Sequence, residues 1–412
     1  MNVQVKLIQG LMNTFLLIYF AELVFPPITV FFNDAVIRLS CFIGWLGCSF
    51  ILNPMFYIKI EKRVAWAFLF LIFTGMLPFL FGYSVIAHRY ISLTLVSMGY
   101  VIYRFYNRNH LVDALKKIIY IELFLASITA VRTLLALLVN PFISRSIKST
   151  GEDSLILASQ GVGGYTFIYF IAACCIPLLY IFLNNNQKKR RYLCACIYLL
   201  FVIVILKASY MTALLTVVIG SSIIFLFSTS HARISKSVQA VIIIGIIGIL
   251  GSGLQVILEF FKDILPIRIT NVLYANTNQS MLASLWDELL TDRLPTLITS
   301  FNAFLEHPIL GLLGGQGIDM SGEFLTGFGQ HSYIMDTFAL YGIFIGIFCL
   351  YIIGINFITS TYLGRQKKSL NFAMIVCVIM LYLFNNVTES IALVVGIIYP
   401  VVRDCNFNDK EA

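Results

Sequence analysis

The residues best suited to chemistry lie in one polar stretch that runs from Arg293 to His331. Arg293 is followed by the sequence His-Pro-Ile-Leu-Gly at 307–311, by a glycine-rich segment at 314–317, and by His331-Ser332. A guanidinium binds an anionic group such as phosphate through two parallel hydrogen bonds. An imidazole accepts a proton near neutral pH and therefore suits general-base catalysis. The stretch thus supplies both an anion-binding group and a proton acceptor.

The order of these motifs resembles the O-antigen polymerase and O-antigen ligase superfamily of bacterial membrane glycosyltransferases. In that superfamily an arginine opens an amphipathic helix, and a His-Pro-x-x-Gly turn, a glycine-rich stretch and a His-Asn or His-Ser pair follow. The next membrane span then carries a glycine-containing joint, which corresponds here to Tyr341-Gly342. The resemblance is carried by residues 293–342, and it extends to the rest of the chain only through length and predicted spans.

The resemblance implies a sugar transfer outside the cytoplasmic membrane that needs no metal and no cofactor. The donor would be a glycan on undecaprenyl diphosphate. Arg293 would bind the diphosphate as the glycosidic bond breaks, because negative charge develops on that leaving group. His331 would accept the proton of the attacking hydroxyl. Arg268 and Arg145 are weaker candidates for further contacts with the diphosphate.

One position departs from the superfamily pattern. In the relatives, the short outer turn between the two middle helices usually carries Ser-Arg, whereas Ser209 is followed here by Tyr210. Lys207 is close enough in sequence to supply the missing charge, as a point cation rather than as a planar fork. A lysine that simply ends a helix is the alternative, so the identity of the second diphosphate contact stays open.

Each candidate residue also has a structural interpretation. His331 could cap a helix at the membrane interface, and Arg293 could extend along the interface to keep its charge in water. His307 precedes a proline and favours a role in the turn itself. Asp336, one turn after His331, could orient the imidazole or pair with an arginine. The glycines at 311–317 lack the Gly-Lys-Ser/Thr ending of a nucleotide-binding loop, which favours a tight bend.

Composition indicates that a membrane protein carries these residues. Of 412 residues, 59% are hydrophobic and only 12% are charged, whereas a soluble domain has about a quarter of its residues charged. The net charge of +8 does not indicate nucleic-acid binding, because the basic residues lie in short clusters between apolar runs. The nine cysteines form neither a disulfide framework nor a CxxC metal pair.

Apolar segments of spanning length predict an all-α, polytopic integral membrane protein with about 12 transmembrane helices. Residues 1–258 would carry helices 1–9, and 259–331 would form a periplasmic loop with amphipathic helices. Residues 332–412 would carry helices 10–12 and a cytoplasmic tail. The last two spans share a polar joint at 385–389, so they could form one hairpin or a broken helix. The predicted spans are 8–31, 36–57, 64–82, 84–103, 118–139, 161–183, 193–207, 209–228, 238–258, 332–357, 371–388 and 389–402.

The distribution of positive charge predicts the orientation of these helices. With the N-terminus inside, most of the 28 Lys and Arg residues fall in the inner connections, as the positive-inside rule requires. We therefore expect both termini in the cytoplasm and the long loop at the periplasmic face of the inner membrane.

The long outer loop contains two apolar patterns of helical period, at 282–289 and at 294–305. Asp292 can cap the second of these helices, and Pro295 is tolerated in its first turn. Amphipathic helices on the outer face would lie on or dip into the membrane surface. We therefore expect the loop to form an ordered lid over a site.

Three functions fit these observations. The first is an O-antigen polymerase that joins lipid-linked repeat units, and the second is an O-antigen ligase that moves the finished glycan onto lipid A–core. Sequence hardly separates these two. The third is a lipid-linked oligosaccharide flippase or a transporter, which would keep its loops short. For the enzyme, the expected partners are the undecaprenyl-diphosphate-linked glycan and membrane lipid, with a chain-length regulator and a flippase as candidates, and no nucleic acid or metal.

Overall fold

The structure, a computed structural model, describes residues 3–31, 34–81, 84–147, 152–208, 210–228, 281–314, 327–358, 365–385 and 389–405. This part of the chain forms helices and turns and contains no strand. The elements are α1 (Val3–Val24), α2 (Pro27–Phe31), α3 (Asp34–Leu52), α4 (Met55–Ile58), α5 (Lys62–Phe81), α6 (Ser84–Arg108), α7 (Val112–Val139), α8 (Ile143–Ser146), α9 (Glu152–Ser159), α10 (Tyr165–Asn184), α11 (Lys188–Ala208), α12 (Met211–Ser228), α13 (Met281–Glu306), α14 (Gly311–Gly314), α15 (Tyr333–Ile358), α16 (Arg365–Phe384), α17 (Glu389–Leu393), a π-helical segment (Val394–Ile398) and α18 (Tyr399–Asp404).

Several of these helices are long and apolar enough to cross a membrane. Long apolar helices satisfy every backbone hydrogen bond internally, as a hydrocarbon environment requires. The described residues confirm the predicted all-helical class and are consistent with a membrane-spanning protein, while the predicted span at 238–258 lies outside them. The six helices that meet both criteria are Val3–Val24, Val112–Val139, Tyr165–Asn184, Lys188–Ala208, Tyr333–Ile358 and Lys367–Phe384.

Prolines divide two of the predicted spans. The span predicted at 8–31 is split, because α1 ends at Val24 and α2 begins at Pro27. Proline has no N–H and its ring clashes with the preceding turn, so it begins a helix well but rarely continues one. The span predicted at 36–57 is split in the same way at Pro54, between α3 and α4.

Helix α10 lies at the centre of the bundle. Of the residues in its apolar span, 83% are buried. The helix packs against α11, α12, α16 and α17. A helix that is apolar on all sides requires protein or lipid on every side, and here the surrounding material is protein. Phe170, Ala172 and Cys174 on α10 have no exposed surface. This helix therefore fixes the relative positions of the helices around it.

A buried ion pair joins α1 to α3. The Glu22 side chain is 1% exposed and accepts two hydrogen bonds from the Arg38 guanidinium, at 2.7 and 2.8 Å. This two-point geometry neutralises a carboxylate that would otherwise be very costly inside an apolar helix. Pairing therefore accounts for these two charges within apolar segments.

Hydrogen bonds between distant residues define one end of the bundle, which we call the Asn385 end. The N–H of Tyr333, at the start of α15, donates to the Asn385 carbonyl at 3.1 Å. The Tyr210 hydroxyl, before α12, donates to the Ser144 carbonyl in α8 at 3.1 Å. Tyr169 on α10 donates to the Asn385 side chain and packs against the Tyr210 ring. The beginning of α15, the end of α16, α8 and the turn before α12 therefore meet at this end.

The opposite end, which we call the Arg403 end, is rich in positive charge. Arg403 donates to the Asn356 carbonyl at 2.5 Å, and Arg104 pairs with Glu61 at 2.5 Å. These contacts tie α18 to α15 and α6 to the start of α5. Exposed basic residues at this end include Lys59, Lys62, Arg108, Lys188, Lys189, Arg190 and Arg191.

Candidate functional site

The stretch that carries Arg293 forms one helix rather than two. Helix α13 runs without a break across Met281–Glu306, with Pro295 inside it. The predicted start of a second helix at Asp292 is therefore wrong. Pro295 removes one backbone hydrogen bond, but packing of α13 against α15 maintains the helix across that position.

The apolar side of α13 faces away from the protein. Leu294, Ile298, Phe301 and Leu305 recur at helical spacing and are between 44% and 57% exposed. The buried side instead carries Ser300, which has no exposed surface. A helix that turns its apolar side outward is suited to contact with lipid. The amphipathic pattern predicted at 294–305 is confirmed, and its apolar side is the one that the described part of the chain leaves exposed.

A buried carboxylate links α13 to α15 and to the chain that precedes α15. The Ser300 hydroxyl donates to Oδ1 of Asp336 at 2.6 Å and accepts from the N–H of Gly329 at 2.9 Å. Asp336 is only 2% exposed. Gly329 has no room for a side chain, because a Cβ there would lie 1.9 Å from the Thr296 carbonyl oxygen. Through Ser300, these hydrogen bonds connect Asp336 on α15 with α13 and with the chain that precedes α15.

A second backbone contact joins the turn after α13 to the middle of α15. Gly342 interrupts α15 with φ 74° and ψ −173°, and a Cβ there would lie 2.2 Å from the Ile309 carbonyl oxygen. Gly311 has φ 66°, and its Cβ would lie 2.3 Å from the α15 backbone. The N–H of Ile343 donates to the Pro308 carbonyl at 2.9 Å. The His-Pro-x-x-Gly turn and the glycine joint therefore pack directly on each other.

This contact also explains the glycine at the end of the His-Pro-x-x-Gly turn. Gly311 is required by a tight bend against a neighbouring helix, as its interpretation as a bend predicted. Segment 315–317 of the glycine-rich stretch lies outside the described residues.

The two leading candidates lie close to the first of these contacts. His331 is exposed and follows Gly329 by two residues. Arg293 precedes Thr296 by three residues and Ser300 by seven, so its backbone lies on the same side of α13. At about 1.5 Å of rise per residue, Arg293 lies about one turn from the Thr296 contact. The fold therefore brings the backbone around Arg293 near the segment that carries His331, while the Arg293 side chain lies outside the described residues.

Of the other candidates, His307 belongs to this junction. His307 is half-buried in the turn after α13, where its carbonyl accepts the N–H of Gly311 at 2.9 Å. Lys207 is half-buried in the last turn of α11. Arg268 lies outside the described residues.

An aromatic cluster beside this junction was missed by the sequence analysis. Tyr165 and Tyr169 on α10 donate hydrogen bonds to Oδ1 of Asn385, and both rings pack against the Tyr210 ring. The Arg145 guanidinium lies 4.9 Å from the centre of the Tyr210 ring. The departure at Tyr210 and the polar joint at Asn385 are the signals that the sequence offers. Their association depends on residues as far as 220 positions apart, which the sequence pattern does not pair.

The described ranges contain no group of three or more His, Cys, Asp or Glu side chains placed to hold a metal ion. A groove of about 390 Å³ lies between the first halves of α1 and α7, where Asn13 and Lys117 contribute to its walls. That groove belongs to the Arg403 end, so it is separate from the junction of α13 with α15.

The chain matches no protein-family model, no curated protein sequence and no solved structure.

Proposed function

We propose that the chain is a polytopic membrane glycosyltransferase that lengthens a glycan carried on undecaprenyl diphosphate, as O-antigen polymerases do. One observation carries this proposal: the junction of α13 with α15. There, Gly329, two residues before His331, lies against Thr296, three residues after Arg293. Gly311 of the His-Pro-x-x-Gly turn and Gly342 of the glycine joint lie against each other's neighbouring backbone. Such contacts leave no room for side chains, which accounts for glycine at each of these positions.

The proposed architecture has about 12 spans, with both termini in the cytoplasm and the Asn385 end in the periplasm. The concentration of exposed basic residues at the Arg403 end supports this orientation, because cytoplasmic connections retain Lys and Arg. In this arrangement the ninth span is 238–258 and the periplasmic loop is 259–331, both of them wholly or partly outside the described residues.

The exposed apolar side of α13 supports a position at the membrane surface. In the proposed arrangement, Leu294, Ile298 and Phe301 contact lipid of the outer leaflet, while the Ser300 side contacts protein. A helix held in this way would lie at the depth of a lipid-linked diphosphate. Arg293 and His331 would then flank the headgroup rather than the lipid tail.

The proposed reaction moves the glycan from its lipid carrier to a hydroxyl of another repeat unit. His331 accepts the hydroxyl proton as that oxygen bonds to the anomeric carbon of the donor. The bond between the anomeric carbon and the diphosphate oxygen breaks, and undecaprenyl diphosphate leaves with the electron pair. Arg293 stabilises the charge that develops on the diphosphate. Asp336 and Ser300 hold the backbone that precedes His331.

Deletion of the gene tests this function and separates it from its rivals. We expect lipopolysaccharide that carries the core and a single repeat unit, because units would still be transferred to the core without being joined. Electrophoresis of the lipopolysaccharide measures this, and a plasmid copy should restore the ladder of longer chains.

Other outcomes of the deletion would contradict the polymerase. A bare core with polymer retained on the lipid carrier would identify the ligase. A bare core with single repeat units retained on the carrier at the inner face would identify the flippase.

A further inference from the structure

The groove between the first halves of α1 and α7 opens on the outside of the bundle at the Arg403 end. Its volume is about 390 Å³, within the range of about 300–1,000 Å³ that ligand sites occupy. Thr14 and Lys117 in its walls are exposed, and Ile121 is 44% exposed. In a membrane-spanning bundle, a groove that opens on this outer side faces lipid.

The two helices that form the groove run side by side in the same direction. The Thr129 hydroxyl of α7 donates to the Val24 carbonyl of α1 at 3.1 Å. Eleven residues before each of these positions, Ile118 and Asn13 both line the groove. Both helices therefore begin at the Arg403 end, and residues that follow along either helix lie progressively deeper in the bundle.

The walls of the groove change from polar to apolar along this direction. The polar lining residues are Gln9, Asn13, Thr14 and Lys117, and the deeper apolar ones include Leu17 and Ile121. At about 1.5 Å of rise per residue, Leu17 lies about 12 Å beyond Gln9. A phospholipid has the same order, because a polar headgroup at the membrane surface is joined to acyl chains that point inward.

The polar part of the groove contains an amide that is oriented from inside the protein. The Tyr106 hydroxyl of α6 donates to Oδ1 of Asn13 at 2.7 Å, and Tyr106 has no exposed surface. Since this bond occupies the acceptor end of the amide, Nδ2 of Asn13 keeps its N–H groups as donors. The oxygens of a phosphate group accept hydrogen bonds from such donors.

The charge around the mouth of the groove is positive. Of the described residues that line it, only Lys117 is charged. Asp113, one turn earlier on α7, pairs with Lys116 at 2.8 Å. Lys6 is exposed and lies one turn before Gln9 on the same side of α1. Basic pockets between transmembrane helices bind anionic lipid headgroups, so an anionic ligand complements this mouth.

We propose that the groove between α1 and α7 binds an anionic phospholipid of the leaflet at the Arg403 end. The phosphate contacts Lys117, Lys6 and the Asn13 amide, and one acyl chain lies along Leu17 and Ile121. In the proposed orientation this is the cytoplasmic leaflet, opposite the proposed glycan-transfer site. The inference goes beyond the proposed function, because the lipid takes no part in the reaction. A lipid that fills the groove stabilises the folded protein, since it binds only that state.

Native mass spectrometry of the purified full-length protein in detergent tests this site. The probes are phosphatidylglycerol, phosphatidylcholine with the same acyl chains, and glycerol 3-phosphate as a soluble headgroup. We expect wild-type protein to prefer phosphatidylglycerol to phosphatidylcholine by about tenfold or more, because each of two lysines contributes about fivefold. Lys117→Ala should reduce this preference by about fivefold, and Lys117→Arg should retain it.

A lysine elsewhere at the same end provides the matched control. Lys62 is exposed at the start of α5 and does not line the groove. Lys62→Ala therefore changes the net charge equally and should leave the lipid preference unchanged. Thr14→Trp places an indole in the groove and should weaken the binding of both phospholipids. Thermal unfolding without added lipid checks that each variant is folded, and added phosphatidylglycerol should stabilise wild-type protein more than Lys117→Ala.

The outcomes decide the site independently of glycan lengthening. An unchanged preference in Lys117→Ala, an equal loss in Lys62→Ala, or unchanged lipid binding in Thr14→Trp would overturn it. Binding of glycerol 3-phosphate as tight as that of phosphatidylglycerol would also overturn it, because the ligand would then be a soluble anion. A loss of preference in Lys117→Ala, with weaker binding of both phospholipids to Thr14→Trp, would support the site even if the protein lengthens no glycan.

Discussion

Replacement of His331 by alanine is expected to abolish the O-polysaccharide ladder while the protein remains in the membrane at its wild-type level. General-base catalysis contributes about 10²–10⁴-fold to a reaction rate, so the loss should exceed about 100-fold. Because His331 is exposed, removal of its imidazole creates no buried cavity. The measurement is electrophoresis of lipopolysaccharide from a deletion strain that carries the variant, with immunoblots for protein level.

A matched histidine provides the control for this experiment. His110 is exposed at the Arg403 end and has φ 57°, a conformation that asparagine adopts readily. His110→Asn should therefore give a normal ladder. A full-length ladder from His331→Ala would exclude His331 as the base.

The same assay tests Arg293, the residue that we propose binds the diphosphate. Arg293→Ala should be as severe as His331→Ala, because the diphosphate would lose its principal positive partner. Arg293→Lys should restore part of the activity at most, because an ammonium keeps the charge but loses the planar two-point geometry. Activity of Arg293→Ala near the wild-type level would exclude this role.

The second large effect is expected at Gly342. A Cβ at this position would lie 2.2 Å from the Ile309 carbonyl oxygen, and its φ of 74° with ψ of −173° belongs to a region that is essentially restricted to glycine. Such strain costs about 1–3 kcal/mol before the clash is included. Gly342→Ala should therefore separate the turn after α13 from α15, lower the thermal unfolding temperature, and abolish the ladder.

Another glycine of the same helix is the control for Gly342. Gly354 lies in α15 with its nearest contact, the Ile358 side chain, 3.7 Å from an added Cβ. Gly354→Ala should be neutral or stabilising by about 0.5–1 kcal/mol, as is usual for an alanine that replaces glycine inside a helix. If Gly342→Ala and Gly354→Ala unfold at the same temperature and give the same ladder, the close contact at Ile309 is not required.

Much of the helix content follows from the sequence, because apolar length and helix-breaking residues are local properties. The ends of α10, α11 and α12 fall close to the predicted spans. The two divided spans differ from prediction where Pro27 begins α2 and where Pro54 precedes the start of α4. Helix α13 differs from the two predicted helices, because the sequence around Pro295 suggests a helix start. In the fold the helix continues across Pro295, where it packs against the distant helix α15.

The sequence predicts which residues belong to the candidate site, but it does not predict which of them are in contact. The motif order selects Gly311 and Gly342, but only the fold shows that their backbones pack against each other's neighbours. The apolar period of 294–305 predicts an amphipathic helix without telling which side the protein covers. Asn385 is visible as part of a polar joint, yet its bonds with Tyr165 and Tyr169 span more than half of the chain. Such pairings depend on how the bundle assembles.

The most direct test of the account is reconstitution of the purified protein in proteoliposomes with undecaprenyl-diphosphate-linked repeat units and no other enzyme. Mass spectrometry of the extracted lipid-linked glycans measures their length. We predict that wild-type protein produces chains of two or more repeat units and that His331→Ala produces none. Unchanged single units after incubation with wild-type protein that still binds the substrate would contradict the account, as would chains of wild-type length from His331→Ala.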